Sequence, residues 1–396
     1  MKIVIRRSEY RIRLVVFCFS LFVALMLFQT SYKNLGTLTA SGTLLLTIVT
    51  YFLQGKGLRG RIVLNVPVCA LTLFLLYSVL ITELYNTRPS GYIRYIAQIV
   101  LCLLLFSVDL NWREHNYLKN LFIGAVVVYA ILILQSYTVN YREGYSHSDV
   151  ILFNTRLDPN FVGFPLVAAT TLLLDNILMN RKRVLSLILY ALVAGTIVYT
   201  ASRGSTVSLV CANMLVYITF LFQKNISTGR RILFIVLPLF AIVFLMQLFS
   251  YLLPAEWARI TTYGENADNG RLALWLRVLT IFWEAPVFGR GLGYWYNAYG
   301  YAVHNTYLQV LCGTGLIGFI LACVAVFYML NKARKSDKIM FCMLAGALVQ
   351  SMFLDALDNR CLWIILSWIA MLPNGKRSTS KGNAYVLSHV PQKVVW

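Results

Sequence analysis

Long apolar segments recur along the whole chain and are separated by short polar stretches rich in Lys and Arg. A helix needs about 20 apolar residues to cross a hydrocarbon core about 30 Å thick. The alternating strands of a membrane barrel are absent from the sequence, so the pattern predicts helices that pair their own main-chain groups. We expect an all-α, polytopic transmembrane bundle of about 12 spans, over residues 12–30, 36–54, 62–82, 93–110, 117–138, 160–179, 184–201, 204–222, 231–252, 305–330, 338–354 and 357–372.

Composition agrees with this class. Hydrophobic residues make up 59% of the chain and charged residues 13%, whereas a soluble domain carries about 25% charge. The net charge of +20 would suit a nucleic-acid partner, but the basic residues lie in short loops between apolar runs, as the positive-inside rule requires. We therefore expect contact with membrane lipids and none with nucleic acid. Residues 1–13 are basic and no small-residue cleavage site follows the next apolar run, which predicts an uncleaved first helix.

The distribution of Lys and Arg predicts an inner (plasma) membrane protein with both termini in the cytoplasm. On this topology 24 of the 35 basic residues are cytoplasmic and 11 lie outside, and ten of those 11 are Arg. Arg grips phosphate oxygens through a planar fork that Lys lacks. The outer face is thus expected to bind an anion, the alternative being that these Arg side chains only reach toward lipid headgroups.

The larger of two outer loops covers residues 254–303, a roughly 50-residue segment that is large enough for a small subdomain. Its apolar residues Leu274, Val278, Ile281 and Phe282 have helical spacing, which predicts an amphipathic helix along the membrane surface. This helix is expected to begin at 269–270.

Three features of this loop bear on ligand binding. Arg271 would lie in the first helical turn, where free main-chain N–H groups favour an anion. The run Gly289-Arg290-Gly291-Leu292-Gly293 has no preceding strand and no following Lys-Ser/Thr, so we interpret it as a tight turn rather than a nucleotide-binding loop. The aromatic run 294–296 fits an interfacial belt or a surface that stacks on sugar rings.

His304 and Arg203 are the leading candidates for chemistry. His304 directly precedes an apolar run at its outer mouth, where an imidazole can accept a proton from a hydroxyl. A single His at a helix mouth is also a common structural residue. Arg203 lies between two spans with almost no loop. A charge at the hydrocarbon centre costs about 2.5–3.5 kcal/mol, so Arg203 is expected to face the protein interior. The eight cysteines show no CxxC pairing, and neither a disulfide framework nor a metal site is expected.

Four motifs, in order, resemble the O-antigen ligase and polysaccharide polymerase family of bacterial envelopes. His304-Asn305 is followed after nine residues by Gly315 and after two more by Gly318, similar to that family's signature. The upstream segment with Gly270-Arg271, Trp275, Pro286 and Gly289-x-Gly291 also resembles family members, as do Ser202-Arg203-Gly204 and Asp158-Pro159-Asn160. The resemblance covers about residues 154–320.

The resemblance implies a metal-independent, cofactor-free glycosyltransferase that works on the outer leaflet. Its donor would be a glycan on undecaprenyl pyrophosphate and its acceptor a hydroxyl of a second glycan, with a flippase and a chain-length regulator as protein partners. Arg203 and Arg271 would stabilise the leaving pyrophosphate, and His304 would act as the base. The remaining predicted substrate-binding residues are Arg156, Arg277, Arg290, Asn305 and Trp275.

This interpretation divides the chain into N-terminal helices (1–153), a ligase- or polymerase-like core (154–330), C-terminal helices (331–372) and a basic cytoplasmic tail (373–396). A polymerase of O-antigen, capsule or exopolysaccharide repeat units is favoured, because the outer loop is short and nothing points to lipid A core. The alternative is a ligase that moves finished polymer onto lipid A core or another acceptor. A peptidoglycan polymerase and a lipid-linked oligosaccharide flippase remain further alternatives, although spans nearly free of charge argue against transport.

Overall fold

The computed structural model describes residues 12–26, 35–53, 65–89, 91–136, 150–152, 155–222, 254–261 and 270–373, with isolated residues between 229 and 252. In this part the chain forms fourteen α-helices. The first eight are α1 (Leu14–Met26), α2 (Leu35–Leu53), α3 (Val66–Leu84), α4 (Tyr92–Leu105), α5 (Trp112–Ser136), α6 (Pro159–Leu178), α7 (Arg183–Tyr199) and α8 (Arg203–Leu221). They are followed by α9 (Pro254–Thr261), α10 (Arg271–Phe282), α11 (Tyr294–Tyr299), α12 (Thr306–Ser336), α13 (Lys338–Gln350) and α14 (Arg360–Ala370).

The helical class predicted from the sequence is confirmed. A short antiparallel hairpin, β1 (Val150–Leu152) and β2 (Thr155–Leu157), precedes α6 and pairs Ile151 with Arg156. Five helices are long and apolar enough to cross a membrane, namely α3, α5, α6, α8 and α12. Six shorter apolar helices accompany them in the described residues. The predicted span 231–252 lies almost entirely outside those residues, so the total of about 12 spans stays a prediction.

The last two predicted spans, 338–354 and 357–372, are longer than the helices that the chain forms there. Helix α13 ends at Gln350, and a turn containing a 3₁₀ helix (Ala356–Asp358) separates it from α14. Helix α14 has 11 residues and is buried along its whole length. At about 1.5 Å per residue it covers roughly half of a hydrocarbon core of about 30 Å. Its apolar sequence therefore reflects burial within the protein.

Helix α12 is central to the packing. It lies against α3 and α13, while α13 packs on α6 and α8, and α14 packs on α4. The largest fully buried side chains in the described residues include Trp368, Phe19, Phe122 and Phe164. This packing brings helices that are distant in sequence to the two ends of α12, where the polar groups gather.

One end of the bundle is closed by a partly buried polar cluster around Asp337. Asp337, in the turn between α12 and α13, accepts hydrogen bonds from His115 Nε2 and Lys119 Nζ, both at 2.8 Å. Burial alone would raise the pKa of Asp337, but these bonds and the Lys119 charge hold it well below its usual range. Trp368 Nε1 donates to His115 Nδ1 at 3.1 Å, which leaves Nε2 as the proton-bearing nitrogen. The start of α5 and the turn that holds Asp337 are both predicted to be cytoplasmic, and these two segments lie together at this end.

Candidate functional site

The loop that precedes α12 holds His304 in an unusual backbone conformation. Its φ is 55°, in the left-handed region that non-glycine residues seldom adopt. Asn305 then caps the helix, because its side-chain oxygen accepts from the N–H groups of Tyr307 at 3.0 Å and Leu308 at 3.2 Å. His304 thus lies at the mouth of α12, as predicted, and the structure adds that it is half-buried on a sharp bend.

Asp355 explains why this bend is stable. Its two carboxylate oxygens accept from the main-chain N–H groups of Val303 and Asn305, each at 3.1 Å. Burial raises the pKa of Asp355, while the neighbouring His304 and these N–H groups oppose that rise. One carboxylate therefore fixes the backbone on both sides of His304.

Thr306 ties the same loop to the turn between α13 and α14. Its N–H donates to Ser351 O at 2.9 Å, and its hydroxyl donates to Leu354 O at 2.7 Å. That hydroxyl also accepts from the N–H of Ala356 at 2.6 Å. Two chain segments about fifty residues apart are joined by main-chain groups and by the Thr306 hydroxyl. Such a rigid frame suits a site whose geometry must be held.

A cavity of about 290 Å³ opens beside His304. Its walls combine aromatic rings with amide and carboxylate groups, contributed by Tyr95, Asp158, Trp295, Tyr296, Gln309 and Asp355. These residues come from α4, the start of α6, α11, α12 and the turn after α13. Neither Arg203 nor Arg271 lines this cavity.

Arg203 is the first residue of α8, as the predicted short turn required. Ser202 caps the helix and also donates from its hydroxyl to Asn160 Oδ1 at 2.7 Å. Gly204 packs so closely on Phe353 that an added Cβ would lie 2.6 Å from that residue's Cβ. The turn therefore touches both the start of α6, which lines the His304 cavity, and the segment that leads into Asp355. Arg203 and His304 belong to the same end of the bundle.

Arg271 begins helix α10, which packs at this same end of the bundle. The helix begins at Arg271 with Gly270 as its left-handed cap, as predicted, whereas residue 269 lies outside the described residues. Trp275 lies one turn further on and donates from Nε1 to Val303 O at 3.2 Å, directly beside His304. Val278 and Ile281 are buried, which confirms the amphipathic pattern. The i and i+4 spacing places Arg271 and Trp275 on one helix face.

The glycine-rich run forms turns that insert into a break in α12. Gly315 has φ 59° and interrupts the helix. The N–H of Gly291 donates to Gly313 O at 2.7 Å, and the N–H of Gly293 donates to Thr87 O at 2.9 Å. An added Cβ on Gly315 would lie 2.3 Å from Val287 O. The glycines allow the main chains of these segments to approach closely. The turn predicted for residues 289–293 is confirmed.

We expect Gly289→Ala to destabilise the protein more than Gly300→Ala. Both glycines have similar left-handed φ angles, 74° and 77°, so each alanine costs roughly 1–2 kcal/mol of conformational energy. A Cβ at 289 would also lie 2.5 Å from Gly313 O, whereas nothing lies within 4 Å at 300. The added overpacking should cost about 1–3 kcal/mol more. Thermal unfolding of the two purified variants in detergent measures this, and equal shifts would contradict the assigned packing.

The other predicted substrate-binding residues differ in their surroundings. Arg290 donates to Glu284 Oε2 and to the Tyr294 hydroxyl, each at 2.6 Å. Arg277 lies 4.5 Å from the ring centre of Tyr299. The main chain of Arg156 lies on β2, opposite Ile151 on β1. Their roles, like those of Asn305 and Trp275, stay predictions. Arg290 already has a carboxylate partner, which a phosphate would have to displace.

Comparison with known proteins bears on the central part of the chain. Residues 187–323 match a family model described as O-Antigen ligase. The family resemblance seen in the sequence is therefore confirmed. The matched segment contains Arg203, Arg271 and His304 and ends before Asp355. The match implies an enzyme of the glycosyl-transfer type that processes glycans at a membrane.

Other comparisons add little to this assignment. No curated protein matches the chain. Among solved structures, one chain of a peptidoglycan synthase complex that coordinates polymerization and crosslinking is 13% identical, with a TM-score of 0.41. The alignment covers 76% of this chain and 96% of that one. A likeness this distant supports no argument about function.

Proposed function

We propose that the protein polymerises lipid-linked oligosaccharide repeat units on the outer face of the bacterial inner membrane. The observation that carries the proposal is the His304–Asp355 arrangement: an imidazole at the mouth of a cavity, on a strained bend whose backbone is held by a half-buried carboxylate. It lies in or beside the segment that matches the O-antigen ligase family. Strained backbone that the surroundings hold in place is typical of functional sites.

The proposed reaction transfers a glycan from pyrophosphate to a hydroxyl. The acceptor oxygen forms a bond to the anomeric carbon of the donor, and the bond from that carbon to the pyrophosphate oxygen breaks. The pyrophosphate leaves with the electron pair, and the hydroxyl proton passes to His304. The Asp355 carboxylate holds the backbone on both sides of His304, and its negative charge favours the imidazolium that results. A positioned base of this kind contributes about 10²–10⁴-fold in rate.

Arg203 and Arg271 would stabilise the charge on the leaving group. Each is the first residue of a helix, α8 and α10 respectively, where the helix dipole also favours an anion. Charge stabilisation of this kind often contributes more to the rate of an enzyme than any other single effect. Because neither Arg lines the cavity beside His304, the phosphate position would lie outside that cavity and the acceptor position within it.

Analysis of lipid-linked glycans from a deletion strain tests the proposal. If the protein is a polymerase, the deletion strain should accumulate single repeat units on the lipid and should make no polymer. Accumulation of full-length chains on the lipid would instead identify a ligase acting on lipid A core or another acceptor. Lipid-linked units trapped on the cytoplasmic leaflet would identify a flippase. Restoring the gene on a plasmid should restore the normal glycan profile in each case.

A further inference from the structure

We infer that Trp295 and Gln309 bind a sugar ring of the acceptor in the cavity beside His304. The inference rests on the proposed function, and it assigns a specificity-determining role to two residues. Trp295 belongs to α11, and Gln309 lies in the first turns of α12, where its N–H donates to Asn305 O at 2.9 Å. Both residues therefore stand on elements that are joined to the His304 bend.

The two side chains carry buried polar atoms that lack a partner within the protein. In the described residues, Trp295 Nε1 and Gln309 Oε1 are both buried without a hydrogen bond. Trp295 as a whole is only 4% exposed, and Trp295 and Gln309 both line the cavity. Buried polar groups are nearly always hydrogen-bonded. A ligand that occupies the cavity would supply the missing partners.

The chemistry of these atoms selects hydroxyl groups. An indole N–H only donates, whereas an amide oxygen only accepts. A sugar hydroxyl does both, so neighbouring hydroxyls on one ring could satisfy each atom. Trp295 is itself fixed by Tyr299, whose ring centre is 4.4 Å away, and by Tyr301 at 5.7 Å. A donor on a rigid ring discriminates well between hydroxyl positions.

The charge and size of the cavity favour a neutral ring over a phosphate. Its lining includes the carboxylates of Asp158 and Asp355 and contains no Lys or Arg. Its volume of about 290 Å³ is near the lower limit of ligand pockets, about 300 Å³, which suits a single ring. Tyr296 also lines the cavity and is 54% exposed, so its aromatic face remains accessible for stacking against an incoming glycan.

Steady-state transfer assays on the full-length protein in detergent test the inference. The donor is the lipid-linked repeat unit from the deletion strain, and the varied acceptor is the same oligosaccharide released from its lipid. We expect Gln309→Leu and Trp295→Phe to raise the acceptor KM about tenfold, the loss of roughly one hydrogen bond, while kcat stays within about twofold. Gln98→Leu is the matched control, because Gln98 Oε1 is also buried without a partner but lies outside the cavity. It should leave both constants unchanged.

A second measurement separates this inference from the proposed reaction. His304→Ala should abolish transfer and still bind the released oligosaccharide, seen as a shift of the ¹⁵N-indole signal that Trp295→Phe removes. An unchanged acceptor KM in both cavity variants would overturn the inference, as would a fall in kcat alone or an equal loss in Gln98→Leu. If His304→Ala kept its activity while the indole signal still shifted, the reaction assignment would fail and the sugar subsite would stand.

Discussion

His304→Ala should abolish polymer formation while the protein still accumulates in the membrane. Without a base, transfer should slow by about 10²–10⁴-fold, and lipid-linked single repeat units should accumulate. Gel analysis of lipid-linked and released glycans measures this, together with immunoblots of the membrane fraction. The prediction depends on His304 accepting the hydroxyl proton, and Asp355 holds its backbone in place for that step.

A second substitution distinguishes lost chemistry from lost structure. An alanine is strained at the left-handed φ of position 304, whereas an asparagine adopts that region more readily. His304→Asn should therefore preserve the bend and remain inactive. His389→Ala, in the predicted cytoplasmic tail, serves as the histidine control and should behave as wild type. Normal polymer from either His304 variant would remove the catalytic assignment.

Local features of the site were predictable because their causes are local. The apolar spacing over 274–282 predicted α10 since a helix must bury one face, and Val278 and Ile281 are indeed buried. The short segment between α7 and α8 predicted a tight turn at Arg203. The structure has that turn, with Ser202 as the N-cap of α8. Hydropathy could not show that α14 is enclosed by protein, because a lipid-facing helix and a buried one are equally apolar.

Asp355 and Gln309 were missed because their significance depends on contacts between distant segments. Asp355 lies fifty-one residues after His304, and no spacing rule links a helix mouth to a turn that far along the chain. One signal was available: charged residues crowd the boundary between the last two predicted spans, and charge at membrane depth marks function by default. The Glu284 partner of Arg290 was likewise invisible to an argument based on residue type.

Removal of the Asp355 carboxylate should be as damaging as loss of His304, but through a different physical route. Asp355→Ala leaves the N–H groups of Val303 and Asn305 without their acceptor. Each unsatisfied buried donor costs about 1–3 kcal/mol, so the bend should relax and the thermal unfolding temperature should fall. Glu83→Gln, which alters an exposed carboxylate paired with Arg88, should leave both polymer and unfolding unchanged.

Asp355→Asn is the more informative variant, because its side chain keeps one acceptor oxygen and loses the negative charge. We expect it to fold, to retain part of the bend and to lose most activity, since nothing then stabilises the imidazolium of His304. If Asp355 acts only through His304, the double variant His304→Asn/Asp355→Asn should be no slower than His304→Asn alone. If the double variant instead showed the product of the two single losses in rate, Asp355 would contribute to transfer independently of His304.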